Sequence, residues 1–147
     1  MITYVDTSAL VKRYVNELTS PAFESFVAST DDELLISPLT VTELQSVLAR
    51  RLRQGDFSRA FLGRTQELFS ADLQNALWIM QPFPPQAFSE AMRLIRELDV
   101  ALATLDALHL ASASALGCTA MATSDRQLAR AAERCGLLIH DFSGHPQ

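Results

Sequence analysis

Four acidic residues, Asp6, Glu43, Asp106 and Asp125, stand at points in the chain where a carboxylate can either cap a helix or do chemistry. Each has an ordinary explanation. Asp6 ends the apolar run Ile2 to Val5 and can cap the first helix. Thr40-Val41-Thr42-Glu43 fits a capping box, with Glu43 reaching back to a backbone N–H. Asp106, two residues after Thr104, suits the positive end of a helix dipole. Ser124-Asp125 is a good helix start.

Together the four make a different case. Carboxylates that converge on one pocket repel one another, which raises their pKa values and opposes burial. A divalent cation relieves that repulsion. Oxygen donors without His or Cys suit Mg²⁺ or Mn²⁺, which keep several waters and bind substrate phosphate. One or two such ions orient a water, lower its pKa and stabilise charge on a leaving oxygen. Helix N-termini at the same place add N–H donors for phosphate. The chemistry this pattern suggests is hydrolysis of a phosphodiester by metal-activated water.

The elements that must position these acids are read from periodicity and punctuation. Strands are expected over Ile2 to Val5, Leu34 to Ile36, Ala76 to Met80, Thr119 to Ala122 and Leu137 to His140. Helices are expected over Ala9 to Val15, Ser20 to Ser29, Ser37 to Gln54, Phe57 to Ser70, Gln86 to Leu98, Leu105 to Leu116 and Arg126 to Arg134. Such alternation predicts a parallel sheet covered on both faces. Ligands bind such sheets beyond the carboxyl ends of the strands, and right-handed crossovers bring those ends to one edge. Asp6, Glu43 and Asp125 fall near that edge. Asp106 lies between two helices, so spacing alone does not place it.

A length of 147 residues with 48% hydrophobic and 20% charged content fits one soluble globular domain, residues 1–147. Only Cys118 and Cys135 are present, too few for a disulfide framework. Both are expected to be buried apolar fillers in a reducing cytosol. Asp6 interrupts the opening apolar run and Lys12-Arg13 come after it, the reverse of a signal peptide's order. Ala107 to Ser124 lacks formal charge, but His109, Gly117 and its Ser and Thr residues make it a buried helix and strand, not a membrane span. The net charge is −5, of which the four acids supply −4. A nucleic-acid partner is not excluded, but a broad basic footprint is.

The remaining features are weaker. His109 lies three residues after Asp106 on one helical face and has the chemistry of an acid or base. His140 and His145 form no metal spacing. Arg50, Arg51 and Arg53 end one helix, and Arg59 and Arg64 lie on the next. They read as a solvated face, or as contacts to RNA phosphates or an acidic partner. Phe57, Phe61, Leu68 and Phe69 recur at roughly helical spacing, the usual mark of a core stripe.

Four segments carry a resemblance: Asp6-Thr7-Ser8-Ala9-Leu10-Val11-Lys12, Thr42-Glu43-Leu44, Asp106-Ala107-Leu108-His109-Leu110-Ala111 and Ala122-Thr123-Ser124-Asp125-Arg126-Gln127-Leu128. In order and neighbourhood they resemble the signature segments of PIN-domain ribonucleases, most closely the VapC-type toxins of toxin–antitoxin pairs. The resemblance implies a three-layer α/β/α sandwich with a central parallel sheet and with the acids at its carboxyl edge, Asp106 included. It implies Asp6 and Asp106 as direct ligands of Mg²⁺ or Mn²⁺, with Glu43 and Asp125 completing the site directly or through water. Ser8 and Thr123 or Ser124 match small hydroxyls that support the acids, and His109 matches a structural neighbour. It further implies an RNA substrate, a VapB-like antitoxin held by the helical pair around Gly55, a homodimer and a cytoplasmic setting without a membrane.

Two other readings compete. One is a PIN nuclease of RNA maturation with no antitoxin. The other is a non-catalytic receiver-like module binding Mg²⁺. A receiver wants paired acids at the first strand end and a late lysine, whereas Val5 precedes Asp6 and the sole lysine is Lys12. A phosphatase of the Asp-x-Asp type is disfavoured because Ser8 takes the third position.

Overall fold

Apolar runs bounded by capping residues set the element order. The computed structural model describes residues 1–144, so His145 lies outside the described residues. The strands are β1 (Ile2–Val5), β2 (Glu33–Ile36), β3 (Ile79–Met80), β4 (Ala120–Thr123) and β5 (Leu138–Asp141). The helices are α1 (Thr7–Tyr14), α2 (Ser20–Ser29), α3 (Pro38–Arg53), α4 (Arg59–Gln74), α5 (Ala87–Glu97), α6 (Thr104–Ala115) and α7 (Arg126–Arg134).

The strands pair in parallel in the order β3-β2-β1-β4-β5. Alternate residues face opposite ways along a strand, and the core divides accordingly. Tyr4, Leu35 and Met121 point into one layer with Ala91 and Leu94 of α5, Leu110 of α6 and Leu128 of α7. Val5, Ile36 and Ala122 point into the other, with Leu10 of α1, Phe23 of α2, Leu44 of α3 and Phe69 of α4. The fold is therefore an α/β/α sandwich. The chain builds outward from β1 through β2 to β3, then returns to place β4 on the far side of β1. Right-handed crossovers require the covering helices to change face when that direction reverses, which is why α1–α4 form one layer and α5–α7 the other.

Several boundaries differ from those read in the sequence. α1 starts at Thr7 because Asp6 itself caps it. The capping box of α3 is formed by Ser37 and Thr40, three residues before the expected one, which releases Glu43 from a capping role. α4 starts at Arg59, after the Ser58 cap, and continues to Gln74. β3 shrinks to two residues because Ala76 takes a left-handed backbone (φ 58°) and the Leu77 amide closes onto the Asp72 carbonyl at 2.9 Å. Trp78 then turns into the core.

The segment 107–124 is the inner helix α6 and strand β4, and among the described residues no helix is long and apolar enough to cross a membrane. Gly117, with φ 74°, makes the short turn between them. Cys118 is buried and Cys135 half-buried, and both are free thiols.

Candidate active site

The sheet changes direction of travel between β1 and β4, and such a switch point opens a crevice beyond the strand ends. A cavity of about 430 Å³ lies there, with Asp6, Glu43, Asp106 and Asp125 all in its wall. Ser8, Ser124, Thr7, His109, Arg50 and Arg51 line it as well. Asp106 reaches this edge because α6 feeds β4 through a four-residue turn, Leu116 to Thr119. A helix joined so tightly to the next parallel strand runs antiparallel to it, so its N-terminus lies at the strands' carboxyl edge. That short turn was a signal present in the sequence.

Asp6 is the most constrained of the four. It is 3% exposed. Its Oδ1 accepts from the Ala9 amide at 3.1 Å and the Ser8 hydroxyl at 2.8 Å, and its Oδ2 accepts from the Thr123 hydroxyl at 3.0 Å. Burial pushes its carboxyl above the ordinary range, against the pull of His109 and of these hydrogen bonds. Ser8 also accepts from the Ser124 amide at 2.9 Å, and Thr123 accepts from the Asp125 amide at 3.0 Å. The three small hydroxyl residues thus tie the end of β1 to the end of β4. Asp125 caps α7, its Oδ1 accepting from the Gln127 and Leu128 amides at 2.9 and 3.1 Å.

Glu43 stands one turn inside α3. Its Oε1 accepts from the Thr7 hydroxyl at 2.9 Å and is in very short contact with His109 Nε2. Burial pushes Glu43 up, but the His109 and Thr7 contacts outweigh it and hold the carboxyl below its usual range. His109 is 1% exposed, and its Nδ1 lies 2.7 Å from the Tyr4 hydroxyl.

Asp106 carries the consequence of the crowding. Burial first, then repulsion from Asp125, Asp6 and Glu43, raises its pKa to about 6. These carboxyls therefore share one electrostatic site. Among the described residues, no three His, Cys, Asp or Glu side chains are drawn together tightly enough to hold one ion among them. Mg²⁺ needs only one or two carboxylates, its other positions being water and phosphate oxygens. Spaced, oxygen-only carboxylates around an open cavity fit such an ion.

Glu17, from the α1–α2 turn, also lines the cavity and had no motif to reveal it. Arg50 and Arg51 line the wall, whereas Arg53, Arg59 and Arg64 do not. Arg51 pairs with Asp56 at 2.7 Å. The aromatic stripe divides: Phe69 is core, Phe57 and Phe61 are half-buried with rings 4.9 Å apart, and Leu68 is 43% exposed.

Fold and pocket define a class, the three-layer α/β proteins that gather acids at the carboxyl edge of a parallel sheet. A PIN domain model matches residues 3–134. The chain belongs to the PIN domain family. No protein of curated function matches the sequence.

Solved structures share the fold at low identity. Mycobacterium tuberculosis VapC20, a toxin cleaving the sarcin–ricin loop, aligns with a TM-score of 0.68 at 18% identity, over 88% of this chain and 94% of that one. DNA-bound VapBC from Salmonella typhimurium aligns with 0.67 at 18% identity, over 97% and 98%. FitAcB from Neisseria gonorrhoeae aligns with 0.65 at 15% identity, over 98% and 100%.

Proposed function

We propose that this chain is a metal-dependent endoribonuclease acting as the toxin of a toxin–antitoxin pair. The observation that carries the reading is that four carboxyls from four separate elements line one cavity, where burial and then mutual repulsion raise Asp106 to about 6. A fold maintains such crowding at little benefit to its own stability, but a bound cation turns it to use. The VapC-type neighbours support the toxin assignment.

Asp6 and Asp106 would be the direct ligands of Mg²⁺ or Mn²⁺, and Glu43 and Asp125 would complete the set directly or through water. When bound, the ion supplies an acidified water and charge neutralisation at the leaving oxygen. The chain's own residues supply the geometry. Ser8, Thr123 and the Ala9 amide fix the plane of the Asp6 carboxylate. Ser8 and Ser124 keep the two strand ends at a constant separation. Arg50 and Arg51, on the wall beside the acids, face the phosphates of a strand crossing the cavity. A single-stranded or loop RNA suits the site, since its phosphodiesters are accessible there. In-line attack of water leaves a 5′-phosphate and a 3′-hydroxyl.

The purified protein should cut RNA with Mg²⁺ or Mn²⁺, stop with EDTA, and lose cleavage in Asp6→Ala while keeping its circular dichroism. In cells, expression alone should arrest growth, and co-expression of the neighbouring small gene should relieve the arrest. Metal-independent cutting, or an active Asp6→Ala protein, would overturn the assignment.

Two surfaces suit the partners of this cytoplasmic reading. The α3–α4 pair offers Leu68 with Phe57 and Phe61 to an antitoxin helix. α5 buries Ala87, Ala91 and Leu94 yet exposes Phe88, Met92 and Ile95 at 63, 55 and 44%. An apolar stripe on the outer face of a surface helix suits a second copy of the chain. Met92→Glu should convert a dimer to a monomer by light scattering. An unchanged mass would remove α5 from the seam.

A further inference from the structure

The Glu43 carboxylate is held by a buried chain of side-chain hydrogen bonds that continues into the core behind the pocket. The Tyr4 hydroxyl, on β1, lies 3.0 Å from Ser37 Oγ and 2.7 Å from His109 Nδ1. His109 Nε2, on α6, meets Glu43 Oε1 on α3. Thr7, on α1, donates to the same oxygen at 2.9 Å. Among the described residues, no side chain or amide donates to Glu43 Oε2.

The Glu43 carboxylate oxygen can only accept, so His109 Nε2 is the donor to it, and the neutral ring then offers Nδ1 as an acceptor to the Tyr4 hydroxyl. That order assigns the imidazole proton to Nε2, where it is directed at Glu43. Four elements therefore converge on the orientation of one carboxylate. Residues that carry no reaction chemistry but aim a ligand are a recurrent feature of metal sites.

We propose that His109 is the positioning residue for Glu43: locked through Nδ1 by Tyr4, it holds Oε1 from Nε2 and leaves Oε2 as the single oxygen that Glu43 turns toward a divalent cation. This rests on the metal-dependent reading above. His109 has no direct part in the reaction, because its second nitrogen is taken by Tyr4 and its first by Glu43.

The test is Mn²⁺ binding, with free ion counted by electron paramagnetic resonance, on the wild type and on Asp6→Ala, His109→Leu, His109→Gln and Tyr4→Phe. Thermal melts are recorded alongside. His109→Leu should weaken Mn²⁺ about 10- to 100-fold. His109→Gln restores a donor near the Nε2 position and should recover most of that loss. Tyr4→Phe deletes one oxygen and should weaken binding by about threefold or more.

The ¹⁵N spectrum of the wild type should show the His109 proton on Nε2. Equal Mn²⁺ affinity in folded His109→Leu and Tyr4→Phe proteins, or a ring proton found on Nδ1 alone, would overturn the proposal. Should His109→Leu fail to fold, equal affinity in Tyr4→Phe alone overturns it. Wild-type binding no tighter than that of Asp6→Ala would instead remove the metal reading on which it rests.

Discussion

Asp106→Asn is expected to abolish RNA cleavage and to make the metal-free protein more stable. The two effects have one cause. Asp106 titrates near 6 in the folded chain against an ordinary 3.8, because burial and the charges of Asp125, Asp6 and Glu43 oppose its ionisation. When ionised, such a group destabilises the fold by about 3 kcal/mol, which solvent at this half-buried position screens to about 1–2 kcal/mol. The asparagine keeps the shape without the charge. At pH 7.5 without added metal, its melting temperature should rise by roughly 3–6 °C.

The sign with pH is fixed by the direction of the shift. Between about 4 and 6 the folded state binds more protons here than the unfolded one, so this group's contribution to stability falls as pH rises through that window. The advantage of the asparagine should therefore be full above pH 6, shrink as the pH falls, and vanish below about 4. Mg²⁺ should reverse the order at neutral pH, since the ion stabilises only the protein that binds it. Cleavage should fall at least about 100-fold, a loss of about 2.7 kcal/mol in transition-state stabilisation. Melts at pH 4, 5 and 7.5 with and without Mg²⁺, together with a cleavage assay, check all of this. A variant that melts below the wild type at pH 7.5 without metal would refute the crowding argument.

The second large effect is structural. Asp72 of α4 is 6% exposed and collects three hydrogen bonds. Arg13 donates to both its oxygens at 2.7 and 3.0 Å, and the Tyr14 hydroxyl donates at 2.5 Å. The Trp78 indole N–H completes the chain onto Tyr14 at 2.6 Å. Removing Asp72 leaves the half-buried Arg13 with Glu24, at 3.0 Å, as its remaining carboxylate and takes the acceptor from the buried Tyr14 hydroxyl, at a cost of about 2–4 kcal/mol. Asp72→Ala should therefore lower the melting temperature by about 10 °C.

Asp72 is absent from the cavity wall. At 20 °C the folded variant should retain cleavage and Mn²⁺ affinity within about twofold of wild type, as expected of a distant, independent site. A melting temperature within about 2 °C of wild type would show that the network adds little to stability. Lost metal affinity would show instead that α1 transmits the disturbance to Asp6.

The same contrast separates what was legible in the chain from what was not. Strands β1, β2, β4 and β5 and helices α1 to α7 are readable as apolar runs with caps and breakers, because those signals are local. β3 is misjudged because the run Ala76 to Met80 looks extended while a left-handed turn at Ala76 and the burial of Trp78 take most of it. The capping alternative for Glu43 falls away because Thr40 fits either end of a capping box. The choice went to Ser37, whose hydroxyl also meets Tyr4 across the sheet. The network of Asp72, Arg13, Tyr14 and Trp78 has no sequence signature, its bonded pairs lying 58 to 64 positions apart.

By itself, the amino-acid order determined the parallel α/β class and marked the four acids and the small hydroxyls beside them, since each depends on neighbours a few residues away. The tertiary structure alone decided that His109 faces Glu43 and not solvent and that Glu17 joins the wall. Those outcomes depend on strand order and helix direction. A sheet that reverses its direction of travel at β1 brings together residues over a hundred positions apart, and no local pattern encodes their distance.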